Sequence, residues 1–74
     1  MHDQQQLPVQ MMNAFDPYLY QTLLGCMDRH IVVQTTWNPI QGTLRKVMPD
    51  HIVIEVSKTP FYVRTQEIVW VTMG

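Results

Sequence analysis

Three histidines, one cysteine and one adjacent acid–base pair are the groups in this 74-residue chain that could do chemistry. The histidines are His2, His30 and His51. A metal site needs several ligands converging on one point, and no two of these histidines stand at the i, i+4 spacing of a helix face. Cys26 is the single cysteine, so neither an intramolecular disulfide nor a cysteine-built zinc site can form. Its expected place is in the packing, as a small apolar residue. Asp50-His51 has the residue types for proton transfer. The plainer reading makes Asp50 a turn former that bonds its own backbone, and His51 an outward-facing strand residue. The three glycines, at 25, 42 and 74, make no phosphate-cradling loop. No Ser or Thr sits in a nucleophile motif. A core this small disfavours the concave pocket of roughly 300 Å³ or more that an enzyme uses. No metal, no cofactor and no enzymatic activity are therefore expected.

Contact residues are the better candidates, and four stand out. Trp37 precedes Asn38-Pro39, which puts it in a hairpin turn, where it either meets a partner or folds back over the end of the fold. Trp70 lies beside apolar Ile68 and Val71, and core packing is preferred to an outward role at an oligomer edge. Arg64 has the planar donor fork that suits a base or phosphate. The competing assignment is a surface pair with Glu67. His51 completes the set. The net charge is −1, with Arg29, Arg45, Lys46, Lys58 and Arg64 as the cations. A nucleic-acid binder usually carries a basic patch. Arg45-Lys46 is the nearest approach to one, and adjacent strand residues point to opposite faces. Specific nucleic-acid binding is not expected.

The elements that must hold these residues follow from the alternation of apolar runs and turn formers. Ile31-Val32-Val33, Ile40 to Val47, Ile52-Val53-Ile54, Phe61-Tyr62-Val63 and Ile68 to Val71 read as five short strands. In the third strand Ile52, Ile54 and Val56 form the core face, with His51, Val53 and Glu55 opposite. Ile40, Gly42 and Leu44 match them on the second strand. The phase then breaks and resumes at Val47, which implies a bulge near Arg45-Lys46. Gly42 suits a tightly curved sheet that brings backbones close. Ahead of the strands, Asp16-Pro17 is a helix start: Asp caps free N–H groups, and Pro at the first helical position forfeits no bond. Tyr20, Leu23, Leu24 and Met27 then make an apolar stripe, which gives a helix over about Pro17 to Met27. Residues 1–15, with glutamines at 4–6 and little charge, read as a flexible tail. Residues 16–74 read as one domain. No signal peptide is visible and no apolar run nears the ~20 residues that span a bilayer. The expected fold is mainly β, a short N-terminal helix followed by a five-stranded bent antiparallel barrel of SH3-like type, closed on itself to hide its edges.

This order of helix and five bent strands resembles the Sm-like proteins. Gly42-Thr43-Leu44, Val47, Ile52, Ile54 and Val56 resemble the first Sm motif, and Val63 to Val71 the second. The departures matter as much. RNA-reading Sm-like proteins carry an Asp and an Asn at positions that fall here at Met48 and Ile52, and a Gly where this chain has Thr65. Arg64 is retained. The runs Pro17 to Leu23, Val32 to Thr36, Gly42-Thr43-Leu44, Pro49 to Val53 and Ile68 to Val71 are also similar, nearly end to end, to the YuzF-like family of short Bacillus proteins. That family is classed as a domain of unknown function. The resemblance implies a bacterial, cytoplasmic or spore-associated protein and no particular activity. The expected function is a self-associating module that acts through protein–protein contacts, a homo-oligomer with no membrane partner. The alternative is an Sm-like RNA binder working as a ring.

Overall fold

The structure is a computed structural model, and it describes residues 16–74. Residues 1–15, expected to form a flexible tail and including His2, lie outside the described residues. The chain opens with helix α1 (Pro17–Leu24) and continues through β1 (His30–Thr35), β2 (Pro39–Val47), β3 (His51–Val56), β4 (Thr59–Arg64), a 3₁₀ turn (Thr65–Glu67) and β5 (Ile68–Met73). All neighbours are antiparallel, in the order β4-β3-β2-β1-β5. The mainly β class, the leading helix and the five strands are as expected. Closure is not: β4 and β5 are the two ends of the sheet and do not pair with each other.

The Asp16 carboxylate accepts from the Tyr18 and Leu19 N–H groups at 3.0 and 3.1 Å, with Pro17 in the first turn. The helix ends three residues before Met27, the expected end. At Cys26 and Arg29 the N–H groups switch to carbonyls three residues back, and Asp28 turns to φ 63. That reversal hooks the chain onto β2, where Asp28 N–H donates to the Leu44 carbonyl and Leu44 N–H to the Arg29 carbonyl. The stripe that packs is accordingly Leu19, Tyr20, Leu23 and Cys26, whereas Leu24 and Met27 stay exposed.

The core is Leu23, Ile31, Val33, Leu44, Val47, Ile52, Ile54 and Val63, with Ile40, Val56, Ile68 and Val71 packed partly against it. Each such aliphatic side chain contributes about 1.5–3 kcal/mol when fully buried. Its phase is the one read from the sequence, and the β2–β3 register slips between Leu44 and Lys46, so that Val47 returns to the core. Gly42 lies where a Cβ would come within 2.4 Å of the Glu55 carbonyl oxygen, which only a glycine allows. Alternation places Val53 on the outward face, and it does not join the core cluster. It is nonetheless only 8% exposed, because β3 runs mid-sheet with Lys46 and Tyr62 flanking it in register. The β3–β4 hairpin turns through Ser57 and Lys58, both at positive φ (51 and 69), the geometry that matches the twist of the flanking strands.

Candidate functional site

His51 opens β3 and Arg64 closes β4, and the register sets them directly opposite each other. Tyr62 stands two residues before Arg64 and so shares its face of the strand. Asp50 ends the β2–β3 turn and Gln66 lies in the 3₁₀ turn. The two turns are joined where the Thr65 N–H donates to the Asp50 carbonyl at 2.9 Å. Asp50, His51, Tyr62, Arg64 and Gln66 together line an open cleft of about 480 Å³. The expectation that so small a domain lacks a concavity of enzyme size is thereby corrected: the concavity sits on the rim, between two turns, and takes nothing from the core.

Inside the cleft, His51 Nδ1 and Asp50 Oδ1 are 2.8 Å apart. The hydrogen bond with His51 holds the Asp50 carboxyl below the usual carboxylate range, and its own backbone N–H, His51 and Arg64 add to the effect. Asp50 thus does more than make a turn. The imidazole of His51 is 6.4 Å from the Tyr62 ring, tilted by 41°. The competing assignment, a surface pair of Arg64 with Glu67, does not form, because Glu67 is engaged by Thr36. The Glu67 carboxylate accepts from the Thr36 hydroxyl and the Glu67 carbonyl from the Thr36 N–H. The other charged cluster lies on β2 and β3: Arg45 bonds Glu55 at 2.9 Å and Asp28 at 3.0 Å, and these carboxylates raise the guanidinium pKa. That cluster straps the helix–strand hook to the sheet.

The tryptophans lie outside the cleft. Trp37 is 87% exposed, so it does not fold back over the sheet. The buried Thr35 hydroxyl accepts from the Trp37 and Asn38 N–H groups and donates to the Asn38 carbonyl at 2.7 Å, which fixes the turn. Trp70 is 48% exposed, so core packing does not hold for it either. A register shift between Gln34 and Thr35, opposite Trp70 and Ile68, leaves Val69 as the extra residue on β5. At the Sm-motif positions, Met48 is exposed at the β2–β3 turn and Ile52 is fully buried. Thr65 is 6% exposed, and its hydroxyl has no hydrogen-bond partner among the described residues. Tyr62 and Gln66 join the cleft without standing among the candidate contact residues of the sequence. The i, i+2 spacing of Tyr62 and Arg64 is the signal that was there to find. Cys26 packs as expected, and its thiol lies 3.7 Å from the Met73 sulfur. Among the described residues no group of three or more His, Cys, Asp and Glu side chains is placed to hold a metal ion.

The sheet edges form the second candidate. Antiparallel pairs alternate between residues that exchange backbone bonds and residues that do not. Thr65 N–H bonds Asp50, and Pro60 has no N–H to give. Together they set the phase on β4: Phe61 and Val63 bond to β3, while Tyr62 and Arg64 direct N–H and C=O to an edge that no strand among the described residues covers. On β5 the phase follows from the Gly74 N–H bond to the His30 carbonyl, which leaves the backbone groups of Val71 and Met73 facing outward. Core-side residues at both edges are left partly uncovered. Phe61, opposite buried Ile54, and Met73, opposite buried Ile31, are each 44% exposed.

Fold and site together define a small mainly β domain, one helix on a bent, open five-stranded sheet, with a polar cleft at one rim. The model of a domain of unknown function, DUF2642, matches residues 10–72, and the chain belongs to that family. It is 36% identical over 64 residues to the uncharacterized protein YuzF of Bacillus subtilis (strain 168), an overlap of 85% of this chain and 82% of that protein. No solved structure matches the chain. No helix among the described residues is long and apolar enough to cross a membrane.

Proposed function

We propose that the protein is a non-enzymatic module that self-associates head to tail, the β4 edge of one copy pairing with the β5 edge of the next. The observation that carries this reading is the pair of open edges, each with outward backbone groups and a half-covered apolar side chain of the core face. Unpaired edges of this kind are templates for strand addition. The two edges are different surfaces, so their union is heterologous and leads to a ring or a filament. Sm-like barrels join in this way, and the resemblance noted in the sequence supports the same pairing here. A cytoplasmic or spore-associated setting and further protein contacts through exposed Trp37 belong to the same reading. The RNA-binding alternative ranks below it, since Met48 and Ile52 have no hydrogen-bonding side chain at the Sm base-reading positions and Thr65 stands where those proteins have Gly.

Light scattering behind size-exclusion chromatography, run from low to high micromolar concentration, tests the proposal. A mass above the monomer is expected. Amides of Tyr62, Arg64, Val71 and Met73 should then gain protection from hydrogen exchange as concentration rises. A monomeric mass throughout sinks the idea. Sub-micromolar anisotropy changes with uridine-rich or adenosine-rich oligonucleotides, abolished in Arg64→Ala, would promote the RNA reading instead.

A further inference from the structure

We infer that the rim cleft is a proton-gated site for a small oxyanion of the phosphate or sulfate class. This inference shares Tyr62 and Arg64 with the proposed β4 edge but uses their side chains, where edge pairing uses their backbone groups, and every residue it uses belongs to one copy. Arg64 lies on the cleft with no carboxylate in salt-bridge range among the described residues, and a guanidinium offers a donor fork that fits two oxyanion oxygens. Gln66 adds amide donors and Tyr62 a hydroxyl. Asp50 is the one anionic residue in the lining among the described residues, and it is held on His51 Nδ1 at 2.8 Å.

That hydrogen bond sets the gate. With Nδ1–H directed at Asp50, a neutral His51 presents Nε2 as an acceptor, which repels an oxyanion. The charges of Asp50 and Arg64 then cancel. A second proton turns Nε2 into a donor and leaves the cleft with a net positive charge. The groups around His51 do not supply a competing switch. On β4 they are Tyr62 and Arg64, and in the turn Asp50. On β2 the nearest charged residue in register is Lys46, opposite Val53, which favours an anion at either pH. Glu55, on the same strand, is engaged by Arg45. Glu67 is engaged by Thr36.

The test is a titration of the isotope-labelled full chain with sodium sulfate, followed by NMR at pH 5.5 and pH 8, with sodium chloride at matched ionic strength as reference. Sulfate keeps its charge across this range, so any pH dependence belongs to the protein. Saturable shifts confined to residues 50, 51, 62, 64 and 66 are expected at pH 5.5, with affinity about tenfold weaker at pH 8, the effect of one added charge near a dianion in partly solvated surroundings. Arg64→Gln should abolish binding at both pH values. His51→Gln should hold the weaker affinity at both. Chloride-like shifts, equal affinity at the two pH values in the unmodified chain, or binding that survives Arg64→Gln would each overturn the proposal. So would capture by phosphatidylglycerol vesicles with no response to free sulfate, which would assign the cleft to a lipid surface.

Discussion

Glycine 42 and Asp50 show how much a single position decides in this domain. At Gly42 the strands approach so closely that a Cβ would sit 2.4 Å from a backbone oxygen, and a backbone atom cannot move aside as a side chain can. Gly42→Ala should therefore lower stability by about 1–3 kcal/mol or more, the range for overpacking. Gly25 is the control. It has φ −73, and an added Cβ would meet the Thr22 carbonyl oxygen at 3.4 Å, an ordinary contact. Gly25→Ala should be neutral or raise stability by about 0.4–1 kcal/mol through the unfolded chain. Urea denaturation of both variants checks the contrast, and equal midpoints would refute it. Asp50 governs acid sensitivity. Its carboxyl is held below the usual range mainly by His51, so the folded state binds that proton more weakly than the unfolded chain. The associated stability is present above the ordinary Asp pKa and is lost as pH falls through the lower folded value, below about pH 4. Asp50 is fully solvent-exposed, so the effect should be small, and Asp50→Asn should flatten the acid limb of the denaturation midpoint between pH 5 and 2. An acid limb unchanged in that variant would show that the His51 contact is not felt in folding.

At the scale of elements, the β3–β4 hairpin carries a correctable strain. Ser57 and Lys58 both occupy the left-handed region, which costs about 1–2 kcal/mol for a residue with a Cβ. The double change Ser57→Asn, Lys58→Gly installs the sequence preferred for a two-residue turn of this hand. It should raise stability by about 1 kcal/mol, read as a higher urea midpoint with an unchanged m-value. A lower midpoint would mean that the turn has another role. The same hairpin marks where sequence reading succeeds and stops. Ile52, Ile54, Val63 and Leu44 were legible as core, because alternation carries phase along a strand without knowledge of its neighbours. The bulge near Arg45-Lys46 was legible from a break in that phase. The helix start was written in Asp16-Pro17. Its end was not, because Asp28 reverses the chain by bonding to Leu44, a contact across the fold. Burial of Val53 and exposure of Trp70 depend on which strand lies in the middle and which at the edge. The cleft was half legible: His51 and Arg64 were named singly, but their meeting with Tyr62 and Gln66 is set by β3–β4 register, which no local pattern states.

For the whole molecule, one backbone atom distinguishes assembly through β4 and β5 from assembly through any other surface. Arg64 has φ −68 and ψ 133, the conformation a proline adopts without strain. Its N–H points to the free edge, since the neighbouring Thr65 N–H is the one that bonds to Asp50. Arg64→Pro therefore removes an edge donor and leaves the sheet's own bonding intact, the setting in which proline is tolerated in a strand. Phe61→Pro is the opposite case, because the Phe61 N–H bonds inward to β3, and it should unfold the hairpin. Losing the Arg64 side chain is a separate effect, and Arg64→Ala isolates it. If copies join through β4 and β5, sedimentation at high micromolar concentration should show Arg64→Ala associating like the unmodified chain. Arg64→Pro should shift to the monomer or weaken association at least several-fold, each lost interstrand hydrogen bond being worth about 0.5–1.5 kcal/mol. Circular dichroism must show the Arg64→Pro chain still folded. Association unaltered by proline would place the contact elsewhere on the surface, with exposed Trp37 and Tyr18 as the next groups to change. A folded Arg64→Pro monomer beside an associating Arg64→Ala chain can be explained only by the missing N–H, and it would assign the assembly to the open edges of this sheet.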